Sequence, residues 1–121
     1  MRKILLLVGL LFLVGCGSNI TGNAVADSPM DVFASCVTES GATFFGAYWC
    51  SHCNAQKGLF EDSMDFVNYV ECSLPKRAGE TEVCKQANIQ SYPTWEFSDG
   101  SRVTGVQSLQ TLADKTGCAL P

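Results

Sequence analysis

Apolar and polar positions change period several times along the chain, and each change marks an element. Ser28 is placed to cap a helix that starts with Pro29, a residue suited to the first helical position. Val32, Phe33, Cys36 and Val37 share one face of that helix, and Gly41 stands where a C-terminal cap would. "ATFFGAYW" (Ala42 to Trp49) is a short apolar run with aromatics and predicts a buried strand. From Cys50 the period turns helical. Ala55, Leu59, Phe60 and Met64 form the inward face, with Gln56, Lys57, Glu61 and Asp62 outward. Gly58 weakens this helix by roughly 1 kcal/mol relative to Ala. "FVNYVEC" predicts a second strand, "SLPKRAGE" a polar loop, and Thr81 to Ile89 a short helix with Val83, Cys84 and Ala87 inward. In "PTWEFSDGSRVTG", Trp95 and Phe97 alternate with Thr94, Glu96 and Ser98, and Asp99-Gly100 supplies a two-residue hairpin turn. Ser108 caps a last helix carrying Leu109, Leu112 and Ala113, ended by Gly117. The order α-β-α-β-α-β-β-α predicts an α/β fold: a mixed four-stranded sheet with helices on both faces.

The N-terminus follows a different pattern. Arg2 and Lys3 precede an apolar run from Ile4 to Val14, broken only by Gly9. The run is shorter than the roughly 20 residues a membrane span takes. A basic start, a short apolar core and small residues after it form a secretory signal. "LVGC" (Leu13 to Cys16), which ends the run, resembles a lipoprotein cleavage box; that resemblance implies lipid on Cys16 and stable membrane anchoring by several acyl chains. Residues 1–15 are then a leader, 16–28 a lipidated tether rich in Gly, Ser and Asn, and 29–121 one small domain.

Composition narrows the chemistry. Arg2 and Lys3 are two of eight basic side chains, so their removal leaves six against twelve acidic ones, a net charge near −6. No basic cluster is present, which argues against nucleic acid as a partner. Seven cysteines occur. With Cys16 lipidated, Cys36, Cys50, Cys53, Cys72, Cys84 and Cys118 remain, an even set that in an oxidising compartment suggests disulfides without choosing the pairs.

Cys50 and Cys53 stand apart in "WCSHC". This spacing suits half of a metal clamp, a redox dithiol or a structural staple. Metal needs three or four ligands; His52 is the only histidine, lies inside the pair, and no second CxxC completes a site, so no metal is expected. At a strand-to-helix junction the positive end of the helix dipole favours a thiolate on Cys50, and His52 can add a hydrogen bond or charge. Trp49 either packs or shields the sulfur and offers apolar surface, and Tyr92 is similarly split between core and groove wall. Redox chemistry fits this setting better than an inert bridge.

"WCSHC" after a strand, "YPT" (Tyr92 to Thr94) far downstream and the α/β order together resemble the thioredoxin superfamily. That implies a thioredoxin-like fold, no cofactor, and a cis Pro93 lying against the dithiol, where adjacent backbone pairs with substrate polypeptide. His52 in the third motif position resembles the oxidising DsbA-type members, although Ser51 stands where many have Pro. "GAYWCSHCNAQKGLF", "YVEC", "EVCKQANIQSYPTWEF" and "DGSR" are similar, more closely, to the thioredoxin-like domain fused to or partnered with bacterial vitamin K epoxide reductase homologues. The resemblance implies oxidation of thiols on exported proteins through Cys50 and Cys53, with reoxidation by a quinone-coupled membrane reductase. The chain itself carries no such reductase, so the lipid tether is expected to hold a monomeric domain at the outer face of the same membrane. A departure from the thioredoxin pattern is Phe44, where a buried acid would stand, which leaves Cys53 without a side-chain proton relay. The resembling domain also implies a Cys72–Cys84 bridge, leaving Cys36 and Cys118 to tie the first helix to the C-terminus. Alternatives are an envelope disulfide reductase or isomerase, and a non-enzymatic disulfide-stapled binding or metal-carrier module.

Overall fold

The computed structural model describes residues 26–121. The leader, Cys16 and the tether up to residue 25 lie outside the described residues.

Helix α1 (Pro29–Glu39) begins at the predicted cap: Ser28 Oγ accepts from Asp31 N at 3.0 Å, and the Asp31 carboxylate accepts from Ser28 N at 3.0 Å. This reciprocal pair satisfies two of the helix's free donors. Gly41, at φ +94°, then turns the chain into β1 (Thr43–Gly46). Helix α2 (Ser51–Leu59) and a 3₁₀ segment (Glu61–Phe66) cross over to β2 (Tyr69–Glu71), which runs parallel to β1. After the short α3 (Glu82–Gln86), β3 (Thr94–Glu96) pairs antiparallel with both β1 and β4 (Arg102–Thr104), and α4 (Leu109–Thr116) closes the chain. The sheet order is β2-β1-β3-β4, and with the predicted element order this is a thioredoxin-like fold.

Successive residues of β1 send side chains to opposite faces. Phe44 stacks on Trp95, ring centroids 5.0 Å apart, in a core with Phe33, Val37, Cys53, Phe60 and Leu112 from α1, α2 and α4. Phe45 joins Cys72, Cys84 and Ile89 on the other face. Because both faces are covered, Thr94 is buried along with Trp95.

Four local expectations are corrected. The buried face of α2 is Cys53 and Gln56, continued by Phe60 at its C-cap, whereas Ala55 and Leu59 are exposed. Gln56 is fully buried because both ends of its amide are bonded: Oε1 accepts from Trp95 Nε1 (3.1 Å) and Gln107 N (2.7 Å), and Nε2 donates to Gln107 O (3.0 Å). In α1, Val32 is 58% exposed and Ala34 takes the buried place, and in α3 Val83 is 52% exposed. The hairpin closes at Phe97 and Ser101, whose backbones bond at 2.9 Å, so its loop is Ser98, Asp99 and Gly100, with Gly100 at φ +80°. Asp99 accepts from Ser101 N and Oγ instead of occupying the first place of a two-residue turn.

Gln56→Leu should therefore be costly despite its apolar gain. It strands the Trp95 N–H and both Gln107 backbone groups, each worth about 1–3 kcal/mol when buried without a partner. A net loss of about 3 kcal/mol, read as a fall in Tm of roughly 12–24 °C, is the expected result of thermal unfolding.

Candidate active site

The C-terminal end of β1, an inner strand of the sheet, leads into the site. After Gly46 and Ala47 the chain leaves β1, exposes Tyr48 and Trp49, and turns so that Cys50 N donates to Ala47 O at 3.0 Å. Cys50 is extended (φ −79°, ψ 121°) and is the N-cap of α2, its carbonyl accepting from Asn54 N at 3.0 Å. No side chain caps this helix start. The positive end of the helix dipole therefore lies at Cys50 without a competing anion of its own.

Cys53, one turn on, faces inward and is fully buried, while Cys50 is half-exposed; both are free thiols. Burial pushes the Cys53 thiol up to about 12; the Ala47 backbone pulls the other way, neighbouring Cys50 adds to the rise, and the Lys57 charge opposes it. Glycine at 46 makes the room: a β-carbon there would meet Cys53 Sγ at 3.1 Å and Tyr69 Cε2 at 2.9 Å.

From β3's approach, Tyr92 O lies 3.8 Å from Cys50 Sγ. The Tyr92–Pro93 bond is cis and Pro93 is fully buried, as the family resemblance implied. Trp49, 39% exposed, stands edge-on to Tyr92 (6.1 Å, 78°), with the Arg77 guanidinium 4.1 Å over its ring. Burial raises the Tyr92 phenol, and Glu80 and Glu71 add to the shift. Cys50, Cys53, Trp49, Tyr92 and Pro93 are thus brought together. His52 is exposed on the first turn of α2, and among the described residues its side chain makes no hydrogen bond to Cys50.

The chain is similar to a thiol-disulfide oxidoreductase. It is 38% identical over 84 residues to thiol-disulfide oxidoreductase LTO1 of Arabidopsis thaliana, a stretch covering 66% of this chain and 22% of that protein. The chain thus spans about a fifth of the length of the curated relative it matches. No family model matches it.

The remaining cysteines are bridged as expected. Cys36 of α1 pairs with Cys118 beyond α4, and Cys72 at the end of β2 pairs with Cys84 of α3. Between Cys72 and the dithiol stands a residue that the sequence pattern did not single out. Glu71 Oε1 accepts from Tyr48 N (3.1 Å) and Ser73 N (3.0 Å), Oε2 accepts from the Tyr69 hydroxyl (2.6 Å), and Ser73 Oγ accepts from Trp49 Nε1 (2.8 Å). This carboxylate therefore holds both shoulders of the Tyr48-Trp49 turn. Parallel register is the signal that points to it, since Glu71 lies opposite Gly46, the last strand residue before the turn.

Proposed function

We propose that the protein is a thiol:disulfide oxidoreductase of the cell envelope, acting on cysteines of exported proteins through Cys50 and Cys53. The observation that carries this is the asymmetric pair: a half-exposed sulfur at a helix start, a fully buried one a turn behind it, and a backbone acceptor 3.8 Å from the first. Similarity to a named thiol-disulfide oxidoreductase supports it.

In the oxidising direction a substrate thiolate attacks Cys50 of the disulfide, and Cys53 leaves with the electron pair of the broken bond. A second substrate thiolate then attacks the substrate sulfur of the mixed disulfide, forming the substrate's disulfide and leaving both protein cysteines reduced. Tyr92 O stands where substrate backbone can pair, and Trp49 with Tyr92 offers an apolar shelf beside Cys50. Fully buried Phe44 leaves no carboxylate at the position of the thioredoxin acid, which favours oxidation over reduction. A quinone-coupled membrane reductase of the vitamin K epoxide reductase type would restore the disulfide. Lipid on Cys16 would keep a monomeric domain at the outer face of that membrane.

Equilibration of the full-length protein with glutathione buffers tests the direction: a potential near −120 mV is the expected oxidant value, and one near −270 mV overturns it in favour of a reductase. Cys16→Ala should release the protein from membranes, and retention there would remove the tether from the proposal.

A further inference from the structure

Exchange through Cys50, as proposed above, places negative charge on Cys53 in either direction. When a substrate thiolate attacks Cys50, the bond from substrate sulfur to Cys50 forms, the Cys50–Cys53 bond breaks, and its electron pair stays on Cys53, which later takes a proton from water. In the reverse step the Cys53 thiolate attacks Cys50 and expels the substrate thiolate. The sulfur bearing this charge is fully buried.

The Ala47 backbone hydrogen-bonds the Cys53 sulfur and favours its charged form, but few of the side chains around it can help. Cys50, from the start of α2, has the same sign of charge when ionised. Tyr69, from β2, donates its hydroxyl to Glu71, and burial together with that carboxylate holds it protonated. Both Glu71 oxygens are occupied, by the Tyr69 hydroxyl and two backbone N–H groups. Tyr92, on the approach to β3, is likewise shifted toward its neutral form. Lys57 is different. It lies four residues after Cys53 on α2, a spacing that puts two side chains on one helix face. It is half-buried, with Nζ 4.1 Å from the centroid of the Tyr69 ring; that ring and Cys53 Sγ both border the space over Gly46, where a β-carbon would lie 2.9 Å from Tyr69 Cε2 and 3.1 Å from the sulfur. The aromatic face holds the ammonium on the side of α2 that carries the buried sulfur.

We propose that Lys57, held on the Tyr69 ring, offsets the charge of the Cys53 thiolate and so accelerates exchange in both directions. It supplies by charge what the missing acid at Phe44 would have supplied by proton transfer.

The test uses the full-length protein, its Lys57→Met and Lys57→Arg variants, and neutral thiols, so that Lys57 has no charge on the reagent to attract. Oxidised protein is reacted with dithiothreitol, and the resolving step is followed from protein carrying 2-mercaptoethanol on Cys50. Lys57→Met should slow both steps about three- to tenfold at neutral pH, the effect of about one unit of Cys53 acidity damped by the weaker nucleophile or leaving group it produces. The pH–rate profile of the resolving step should move about one unit upward, and Lys57→Arg should restore most of the rate. Equal rates in wild type and Lys57→Met overturn the proposal. So does a slowed Lys57→Met that Lys57→Arg does not rescue, which makes Lys57 a packing residue. A wild-type protein that fails to exchange at all overturns the oxidoreductase itself, a distinct outcome read from the wild type alone.

Discussion

Replacing Cys53 with alanine is expected to turn a fleeting intermediate into a product that can be isolated. In the wild type, a substrate joined to Cys50 faces a second thiol held one helical turn away in the same rigid element. Well-oriented intramolecular groups reach effective concentrations on the order of 10⁵ M or more. An external thiol at millimolar level competes poorly with that, so removing Cys53 should lengthen the lifetime of the mixed disulfide by several orders of magnitude. Non-reducing electrophoresis and mass spectrometry of envelope extracts should show Cys53→Ala joined through Cys50 to exported proteins. Cys50→Ala should give no adducts, because the one remaining thiol of the pair is fully buried and substrate sulfur cannot reach it. The contrast between the two variants follows from burial alone. A Cys53→Ala protein that traps nothing would point to the binding-module alternative.

Short-range chemistry made much of the fold legible. The Ser28 and Ser108 caps, the turn at Gly41 and the stop at Gly117 are each settled within a few residues of chain, and each stands where the pattern puts it. The strand–CxxC–helix junction is equally local. What the pattern missed depends on partners distant in sequence. Gln56 looks like a surface residue until Trp95 and Gln107 arrive to use its amide, and a polar side chain satisfied in this way leaves no hydrophobic signal. Glu71 reads as an ordinary polar strand residue until β1 and β2 pair and bring the Tyr48 N–H to it. The three-residue hairpin loop has the same composition as a two-residue one, and only the Phe97–Ser101 pairing distinguishes them.

Loss of the Cys36–Cys118 bridge should have the largest effect on stability. It joins residues 82 apart, nearly the whole domain, and α1 packs against α4 beside it. In the chain-entropy account a closed loop of this length contributes about 4–5 kcal/mol, against about 3 kcal/mol for a short loop such as that closed by Cys72 and Cys84, 12 apart. Small domains hold roughly 5–15 kcal/mol in total, so a Cys36→Ala/Cys118→Ala protein should stand near its folding threshold. Urea unfolding should show the midpoint fall by more than in Cys72→Ala/Cys84→Ala, and a loss under about 1 kcal/mol would contradict the account. The two bridges should also differ in kind. Cys36 and Cys118 join α1 to the segment after α4, neither of which forms the turn that carries Cys50, so their removal should lower stability and spare the exchange rate of the molecules that remain folded. Cys72 sits between Glu71 and Ser73, the two residues that hold the Tyr48-Trp49 turn, so the smaller stability loss there should bring a slower reaction at Cys50 with it.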